Sequence, residues 1–311
     1  MRITMLIALA ALSGNAAPAR QPRAPFVVQE TGQAFPGLQA AVDGIGDGSG
    51  TIRIAPGTYR ECAVQRGGSV TYLAEITGKA IFESVSCEGK AALVLRGRAA
   101  VVEGLVFARL AVPDRNGAGI RLETGSLVVT RSWFRDSEQG ILTAGGPDMA
   151  LRIERSTFTR LGTCEGAGGC AHSVYAGDIR ELTIERSRFE AGRGGHYVKS
   201  RAARTVVRQS SFDDSQGRGT NYMIDLPNGG SGAITANRFV QGQDKENWSA
   251  YIALGAEGAG YSMDGFRIAD NDARSVPGMR QNTAFVADWT GDDVQFSGNT
   301  LGVGLKPLER R

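Results

Sequence analysis

Three short segments of the sequence carry polar side chains of the kinds that transfer protons or bind anions. They read AHSVYAG, GGHYVKSRA and NYMIDLPNGG, and they all lie between residues 171 and 230. Histidine, tyrosine, lysine and aspartate act as general acids and bases, and arginine binds carboxylates through its planar set of donors. Because the segments are about one sequence repeat apart, we predict that these side chains stack into one polar column. The column consists of His172, Tyr175, His196, Lys199, Arg201, Tyr222 and Asp225.

Each of these segments is followed by a short apolar run that ends in a Ser/Asn-x-Phe triplet. The distance between run ends varies from 23 residues (Phe189 to Phe212) to 34 residues (Phe239 to Ala273). Apolar and polar residues alternate within each copy, which indicates strands, and the absence of a 3.6-residue period excludes helical solenoids. The sequence therefore predicts coils of irregular length whose strands pair in parallel from coil to coil. The copies end at Phe107, Phe134, Phe158, Phe189, Phe212, Phe239, Ala273 and Leu301.

Stacked coils place equivalent residues in ladders. We predict that the phenylalanine ladder lies in the core. The ladder two residues earlier consists of serine and asparagine, which hydrogen-bond backbone groups at turns, and asparagine also tolerates a positive φ. A structural role is expected for both ladders. The second ladder consists of Ser132, Ser156, Ser187, Ser210, Asn237, Asn271 and Asn299.

The same count sets the register of the polar column. Alternation directs Tyr175, Lys199 and Asp225 to the outer face, on adjacent coils about 5 Å apart. Arg201 follows two residues after Lys199 and faces the same way. The corresponding inward positions are Val174, Val198 and Ile224.

His172 and His196 are the only histidines of the chain, and they fall on consecutive coils. By strict alternation they share the inward parity of Val174 and Val198, which predicts a buried, hydrogen-bonded pair of imidazoles. Both also follow a glycine-rich or cysteine-bounded loop, where the backbone can turn and direct them into a groove. The sequence leaves both orientations open.

Over residues 35 to 305, this pattern resembles the right-handed parallel β-helix proteins of the pectate-lyase-like superfamily. The Ser/Asn-x-Phe repeats and the opening IleAlaProGlyThrTyr, residues 54–59, carry the resemblance. It implies an all-β, right-handed parallel β-helix, in which the amphipathic segment Phe35–Val42 forms a short helix that caps the first coil. It does not settle the activity, since the superfamily includes lyases, hydrolases, epimerases and phage tailspikes.

Proteins of this fold bind extended polysaccharides along one outer face, and arginines near the column predict a positive groove for an acidic polymer. Uronate chains can be broken by β-elimination. A base removes the proton next to the carboxylate, a cation stabilises the enolate-like intermediate, and an acid protonates the departing oxygen. The arginines expected to line the groove are Arg193, Arg201, Arg204 and Arg218.

The segment TyrValLysSer, residues 197–200, and the strand after it also resemble the alginate-lyase and chondroitinase-B group of β-helix lyases. In that group a Val/Ile-Lys-Ser segment carries the catalytic base, which the resemblance places on Lys199. The group has its catalytic arginine one coil later, where this sequence has Asp225. It also uses a calcium ion held by an Asn/Glu set that has no match here, so the sequence assigns no cofactor and leaves calcium open.

These considerations give each candidate a role in β-elimination. Lys199 is the predicted base, with a pKa lowered by burial and nearby positive charge, and Arg201 is the carboxylate clamp. Tyr175 or His196 is the predicted acid. Asp225 is an orienting group, and His172 completes the candidate catalytic set.

Other interpretations stay open. Lys199 and Asp225 could form a simple ion pair on a solvated face, which would keep the lysine protonated. An inverting hydrolase would need a second carboxylate beside Asp225, such as Asp213 or Asp214, which follow a terminal Phe at the opposite end of the coil. A C5-epimerase shares the first step of a lyase, and a non-catalytic glycan-binding β-helix is the alternative of a different class.

Further candidates lie outside the central strands. Tyr222 belongs to the column, and Trp248 and Tyr251 lie in a predicted loop after Phe239, where aromatic rings could stack on sugars or simply anchor the loop. The turn-rich stretch Asp288–Asp293 is a possible calcium ligand set, although it lacks the spacing of a recognised loop motif. The sequence assigns no metal ligand.

Composition agrees with a glycine-rich, turn-rich β protein. The chain has 311 residues, of which 43 are glycine, and 41% are hydrophobic, enough for a continuous core. The formal net charge of +3 is too small to indicate nucleic-acid binding. We expect an acidic polysaccharide as the partner and a monomer in solution.

The N-terminus is typical of a secretory signal, because Arg2 precedes the apolar run of residues 3–12 and Ala17-x-Ala19 is a plausible cleavage site. The run is too short for a membrane anchor, so a periplasmic or secreted protein without a membrane segment is expected. We predict a signal peptide over residues 1–19, a linker over 20–33, one β-helix domain over 34–305 and a tail over 306–311.

Four cysteines in an exported chain suit two disulfides. Cys164 and Cys170 bracket a glycine-rich loop, and no finger-like set of ligands accompanies them that would indicate zinc. Cys62 and Cys87 are about one repeat apart and can meet across neighbouring coils. We predict these two pairings.

Overall fold

The computed structural model describes residues 24–279 and 281–311, and there it shows the predicted right-handed parallel β-helix. Each coil contributes one strand to each of three sheets, and strands of successive coils pair in parallel. The predicted signal peptide lies outside the described residues, so export stays a prediction.

In each of the three sheets, hydrogen-bonded neighbours follow one another from the N-terminal to the C-terminal end of the β-helix. The first sheet contains β2 (Ala34–Phe35), β1 (Phe26–Val28), β3 (Ser49–Ile54), β6 (Ser69–Ala74), β9 (Ala99–Glu103), β12 (Ser126–Thr130), β15 (Gly146–Glu154), β18 (Ile179–Glu185), β21 (Arg204–Arg208), β24 (Ser231–Thr235), β27 (Arg267–Ala269) and β30 (Gln295–Ser297). The second contains β4 (Gly57–Tyr59), β7 (Ala80–Glu83), β10 (Leu105–Ala108), β13 (Trp133–Arg135), β16 (Thr157–Thr159), β19 (Arg188–Glu190), β22 (Ser211–Asp213), β25 (Arg238–Gln241), β28 (Asp272–Ser275) and β31 (Thr300–Leu301). The third contains β5 (Ala63–Gln65), β8 (Ala91–Leu95), β11 (Ala118–Leu122), β14 (Gln139–Thr143), β17 (Val174–Ala176), β20 (Val198–Ser200), β23 (Ile224–Leu226), β26 (Ala250–Leu254), β29 (Ala284–Asp288) and β32 (Lys306–Arg310).

The predicted phenylalanine ladder is confirmed on the inner face of the second sheet. From Phe134 to Phe239, successive ring centroids are 4.7 to 5.0 Å apart and the ring planes lie within 9° of parallel. This distance matches the spacing of hydrogen-bonded strands, so the ring stacking follows from the backbone pairing. Each aromatic pair contributes about 0.5–1.5 kcal/mol beyond the area that it buries.

The serine and asparagine ladder also lies where it was predicted. Each member after Ser132 accepts a hydrogen bond from the backbone N–H of the member one coil earlier, as Ser156 Oγ does from Ser132 at 3.2 Å and Asn271 Oδ1 does from Asn237 at 3.0 Å. The positive φ falls one residue earlier than expected, so the tolerance of asparagine for that conformation is not used. The non-glycine residues that directly precede a ladder member and have a positive φ are Arg131, Arg155, Arg186, Gln209, Ala236 and Asp270.

The turn into the third sheet places two consecutive residues in the core. Tyr197 and Val198 are both buried, and the ring of Tyr197 packs edge-on against that of Phe212. Strict alternation of inward and outward side chains therefore breaks at this turn. A residue before the turn faces the side opposite to the one predicted by counting back from the strand. The corresponding core pairs of later coils are Met223 and Ile224, Tyr251 and Ile252, and Phe285 and Val286.

The N-terminal end differs from the prediction. Within the predicted linker over residues 20–33, Phe26–Val28 forms a strand antiparallel to β3, because its apolar side chains pack on the first coil. The capping helix is confirmed, but it spans Leu38–Ile45 rather than Phe35–Val42. Gly37 is its N-cap, and Leu38, Ala41 and Val42 are its buried residues.

The C-terminal boundary also differs. Residues 306–311 were expected to form a tail, yet Lys306–Arg310 pairs in parallel with Ala284–Asp288 as the last strand of the third sheet. The β-helix therefore continues beyond residue 305.

Both predicted disulfides are present, between Cys62 and Cys87 and between Cys164 and Cys170. They fit an oxidising compartment. Within the described residues, no helix has the length and apolar character needed to cross a bilayer.

Candidate active site

Tyr175, Lys199 and Asp225 are direct neighbours on the outer face of the third sheet, as predicted. Tyr175 pairs with Lys199 and Lys199 with Asp225 in the parallel register of three successive coils. Their neighbours Val198 and Ile224 point into the core with no exposed surface, which fixes the outward direction of the polar side chains. Coil stacking thus brings together three residues that are far apart in the sequence.

Lys199 lies between two carboxylates. Its Nζ is 3.3 Å from Asp225 Oδ2 and 2.6 Å from Glu257 Oε1. The side chains of Lys199 and Asp225 are 12% and 4% exposed, whereas that of Glu257 is 46% exposed. The ion pair between Lys199 and Asp225 that the sequence left open is therefore present, but a second carboxylate shares the lysine.

Arg201 connects the lysine pair to the tyrosine. Its Nε donates a hydrogen bond to Tyr175 Oη at 2.9 Å. Its two remaining nitrogens donate to Asn228 Oδ1 and to Glu257 Oε2. A continuous set of hydrogen bonds and ion pairs thus runs from Tyr175 through Arg201, Glu257 and Lys199 to Asp225.

Glu257 is the functional candidate that the sequence analysis missed. It lies in the loop GAEGAG, residues 255–260, directly after β26. Backbone hydrogen bonds from Glu257 N–H to Pro227 O and from Gly260 N–H to Asn228 O tie this loop to the previous coil. Nothing in that glycine-rich stretch distinguishes its carboxylate from a solvated one, so only the coil stacking reveals the contact.

The two histidines face the outer side, together with Tyr175 and Lys199. The inward orientation predicted from strict alternation is wrong, because Tyr197 occupies the core position at the turn. His196 Nε2 lies 3.4 Å from Asp225 Oδ2, and the His172 and His196 ring centroids are 5.0 Å apart. Both rings are nonetheless buried, since His172 packs edge-on against Tyr175 and His196 stacks on Tyr222.

Burial dominates the electrostatics of this cluster. It raises the pKa of the Asp225 carboxyl to about 6, although the neighbouring Lys199 acts in the opposite direction. It lowers the pKa of His172 to about 3, with help from the charges of Lys199 and Arg201. The pKa of His196 is held well below its ordinary value, first by burial and then by His172 and Lys199. Both histidines are therefore neutral at pH 7.

The hydrogen bonds fix the tautomer of His172 and the charge of Glu257. His172 Nδ1 accepts the backbone N–H of His196 at 3.0 Å, so the neutral ring carries its proton on Nε2. For Glu257, partial burial raises the pKa, but the hydrogen bonds and charges of Lys199 and Arg201 outweigh it and hold the pKa below its usual value.

A groove of about 540 Å³ leads along the third sheet to this cluster. Tyr175 and Arg201 line one end, and Lys90 and Arg121 line the other, two or more coils closer to the N-terminus. Leu142 lies between them on the outer face of β14. The cluster is thus one end of a polar groove with an apolar patch in its floor.

Three of the four arginines predicted for the groove lie elsewhere. Arg193 is exposed and lies 3.7 Å from Asp136, beside a different surface pocket. Arg204 begins a strand of the first sheet, where it lies 3.9 Å from Glu181. Arg218 is exposed in the connection between β22 and β23. Only Arg201 is in the groove, because the other three belong to other walls or turns of the coil.

The predicted aromatic platform is also corrected. Tyr251 lies in β26 with its ring in the core and its hydroxyl bonded to Ser275 at 2.8 Å, so it cannot stack on a ligand. Trp248 is half-buried in the loop before this strand. Tyr222 is buried against His196 and supports that ring. None of the three lines the groove.

The carboxylates considered as partners for Asp225 do not reach it. Asp213 lies in the second sheet and accepts a hydrogen bond from the backbone of Ser215. Asp214 is fully buried and lies 3.2 Å from Lys245 Nζ. Their position at the opposite end of the coil is therefore confirmed, and Glu257 is the carboxylate that shares Lys199 with Asp225.

Calcium binding stays a prediction. Asp225 and Glu257 face cationic side chains, and the stretch Asp288–Asp293 already binds protein donors, as Asp288 Oδ1 does the backbone and hydroxyl of Thr290. The only grouping of three potential metal ligands in the described chain is Cys164, Cys170 and Glu246. Its two sulfurs are joined in a disulfide, so they are not thiolate ligands.

No protein-family model and no curated protein sequence matches this chain. Among solved structures, an alginate lyase from Paenibacillus sp. str. FPU-7 superimposes with a TM-score of 0.62 at 16% identity, over 88% of this chain and 94% of that chain. A Geobacillus virus E2 protein, ORF18, superimposes with a TM-score of 0.51 at 12% identity, over 87% of this chain and 55% of that chain. At this identity the likeness supports the fold.

Proposed function

We propose that this protein is a periplasmic or secreted polysaccharide lyase that cleaves an acidic, uronate-containing polysaccharide by β-elimination. The observation that carries the proposal is the carboxylate of Glu257, which Lys199 and Arg201 hold together beside the hydroxyl of Tyr175. A uronate carboxylate at the same position would meet the same two cations. The protein's own side chain thus marks the place of the substrate group.

Binding of the substrate displaces Glu257. Its side chain is 46% exposed, so it can rotate away from the two cations without any change in the strands of the β-helix. Arg201 then binds the substrate carboxylate. Its charge stabilises the enolate-like intermediate that forms when the proton on the neighbouring carbon leaves.

Lys199 takes that proton as the base. Its amine must be neutral for this step, so its own surplus proton passes first to solvent. Departure of Glu257 removes one of its two carboxylate partners and leaves Nζ free to face the substrate.

Tyr175 supplies the acid. Its hydroxyl gives its proton to the glycosidic oxygen as the carbon–oxygen bond breaks, and the electron pair of the intermediate becomes the new double bond. Arg201 Nε, which donates to the phenol oxygen at 2.9 Å, stabilises the phenolate that remains. The proton collected by Lys199 then returns to Tyr175 on the neighbouring coil, which restores both groups.

His196 and His172 act as positioning residues. His196 lies against Asp225, and its backbone N–H occupies the Nδ1 lone pair of His172. Because that lone pair is in use and the ring is neutral, His172 accepts no further proton. The pair holds Asp225, and through it Lys199, in place.

The test is an assay of uronate polymers for the ultraviolet absorbance of unsaturated chain ends, which β-elimination produces. Wild type should form them, and Tyr175→Phe should lose about 10²- to 10⁴-fold in kcat/KM. Tyr222→Phe is the matched control, because it also removes one hydroxyl from the cluster but keeps the ring that supports His196. It should keep most of the activity.

Three outcomes would overturn the proposal. New reducing ends without that absorbance would indicate hydrolysis. Inversion at C5 without chain cleavage would indicate an epimerase. Tight binding of a polymer that is never altered would indicate a non-catalytic glycan-binding protein.

One observation favours hydrolysis as a second candidate. Asp225 and Glu257 flank the same Lys199 Nζ, and their pKa values are shifted in opposite directions, as expected of an acid and a base that share a site. Asp225 is, however, only 4% exposed behind Lys199 and His196, which separates it from a glycosidic oxygen in the groove. We therefore rank hydrolysis second.

A further inference from the structure

Arg121 lies in the same groove, and its one ion pair among the described residues is a long one, with Glu123 at 3.7 Å. It occupies the outer column of the third sheet, where it pairs with Leu142, which in turn pairs with Tyr175. Two strand spacings, about 10 Å, therefore separate its position from that of Tyr175. Its side chain is 25% exposed and lines the groove while it stays partly buried.

The guanidinium of Arg121 has unused hydrogen-bonding capacity. Its Nε is buried without a hydrogen-bond partner, and the nearest carboxylate oxygen, Glu123 Oε1, is 3.7 Å away. Glu123 is already committed to two other cations, since Lys90 Nζ lies 2.7 Å from one oxygen and Arg96 Nε lies 2.6 Å from the other. Lys90 and Arg96 also contact Glu88, so three cations face two carboxylates among the described residues at this end of the groove.

The other charged groups of the groove do not neutralise Arg121. Asp114 and Asp178 also line it, but both are exposed and both accept hydrogen bonds within the protein. Asp114 Oδ1 accepts from the backbone of Asn116 at 3.2 Å, and Asp178 Oδ1 accepts from Tyr261 Oη at 2.7 Å. The space above Leu142, between Arg121 and Tyr175, is left for a ligand.

We infer that Arg121 forms a second carboxylate-binding position. One uronate of the polymer binds Arg201 through its carboxylate, and another uronate of the same polymer binds Arg121. This rests on the proposed function and adds a direction to it. An arginine fork binds a carboxylate with two parallel hydrogen bonds, and Leu142 offers an apolar surface for the sugar ring between the two positions. The polymer therefore runs along the β-helix axis, from the Lys199 cluster towards the N-terminal coils.

Among the described residues, the opposite direction offers no equivalent position. Beyond Asp225 the same outer column continues with Ala253 and Ala287, which carry no charge. Recognition of the polymer is therefore one-sided.

The test compares Arg121→Gln with wild type on uronate oligomers of increasing length. Hydrogen bonds to charged groups contribute about 1.5–3 kcal/mol, so KM for long oligomers should rise about 10- to 100-fold while kcat changes little. The shortest oligomer that is cleaved should show no change, because it cannot span both positions. Arg121→Lys, which keeps the charge but not the fork, should fall between the two.

Arg238→Gln is the control, because it removes the same charge from an exposed arginine of the second sheet. If wild type cleaves the polymer and Arg121→Gln matches it at every length, this inference is wrong and the proposed function stands. If wild type cleaves no uronate polymer, the proposed function fails, and the salt-dependent binding of polygalacturonate or alginate decides the inference by itself. Weaker binding by Arg121→Gln alone would support it, and equal binding by all three proteins would overturn it.

Discussion

Two lysine–aspartate pairs lie in neighbouring coils of this protein, and they differ in their surroundings rather than in their own geometry. Lys245 Nζ is 3.2 Å from Asp214 Oδ2, and Lys199 Nζ is 3.3 Å from Asp225 Oδ2. Both side chains of the first pair are fully buried, whereas Lys199 also binds the exposed Glu257. We call the first the closed pair and the second the open pair.

Every charged side-chain atom of the closed pair has a partner within the protein. Asp214 accepts hydrogen bonds from Tyr197 Oη at 2.7 Å and from Thr220 Oγ1 at 2.8 Å, and Lys245 donates to the backbone oxygen of Asn221. A buried polar network that is satisfied throughout holds a loop in one conformation and leaves nothing for a ligand. This pair is structural.

The open pair has capacity to spare. Asp225 Oδ1 is buried without a hydrogen-bond partner, and Lys199 takes its second carboxylate from the half-exposed side chain of Glu257. Burial also raises the pKa of Asp225 to about 6. Unfilled capacity and a shifted pKa beside a groove are the marks of a functional site, and the closed pair shows that a buried lysine and aspartate do not suffice.

The largest expected effect separates the two lysines. Lys245→Met leaves Asp214 buried without its cation and should lower the free energy of unfolding by about 3–5 kcal/mol. Lys199→Met should lower it by less, because the raised pKa of Asp225 allows its carboxyl to take up a proton when the cation is lost. Activity should respond in the opposite way, with a loss of about 10²- to 10⁴-fold in kcat/KM for Lys199→Met. Urea unfolding and the assay for unsaturated chain ends measure the two quantities.

Folded Lys245→Met protein should keep a kcat close to that of wild type. If instead both variants lost stability equally and activity equally, the open and closed pairs would be one structural unit and the comparison would be wrong.

The sequence could predict that the two residues of the open pair are neighbours, but not that this pair differs in its surroundings from the closed pair. The Ser/Asn-x-Phe repeat sets the register, and register alone places Tyr175, Lys199 and Asp225 side by side, because parallel strands stack equivalent positions. The disulfide between Cys62 and Cys87 followed from the same repeat length. The sequence gives no sign that Lys245 is buried, since its burial depends on the irregular connection that follows Phe239.

Two further features required coordinates. The histidines face outward because the turn into the third sheet adds a second core residue, Tyr197, and periodicity counts along a strand cannot register such a turn. Glu257 reaches Lys199 from 58 residues away, through a loop whose conformation depends on hydrogen bonds to Pro227 and Asn228. Loop positions of this kind depend on tertiary contacts, which leave no local pattern in the sequence.

The next effect in size tests the pKa of Asp225. Its folded-state value of about 6 lies above the ordinary 3.8, so the folded protein holds the ionised carboxylate less favourably than the unfolded chain does. This cost is absent below the unfolded value and complete above pH 6, where 6 − 3.8 = 2.2 pKa units correspond to about 3 kcal/mol. Asp225→Asn should therefore gain about 3 kcal/mol relative to wild type at pH 8, compared with its difference at pH 4.

Urea unfolding of wild type and Asp225→Asn at the two pH values gives this difference. His172 and His196 are present in both proteins, so their contributions to the pH dependence cancel. Asp214→Asn is the contrasting variant. It should lose stability at both pH values, because Tyr197, Thr220 and Lys245 all lose their acceptor. A pH-independent difference for Asp225→Asn would show that the open pair is as well compensated as the closed one.

The smallest expected effect concerns Glu257, the exposed carboxylate that distinguishes the open pair from the closed pair. Its ion pairs are partly exposed, so Glu257→Gln should change the free energy of unfolding by less than about 1 kcal/mol. If its carboxylate stands in for that of the substrate, its removal should lower KM for the polymer, since an internal competitor is lost. Glu246→Gln, in the preceding loop, should leave KM unchanged. A rise in KM for Glu257→Gln would instead show that Glu257 is a positioning group. Glu257 would then be a permanent partner within the protein, and the distinction between the open and closed pairs would be lost.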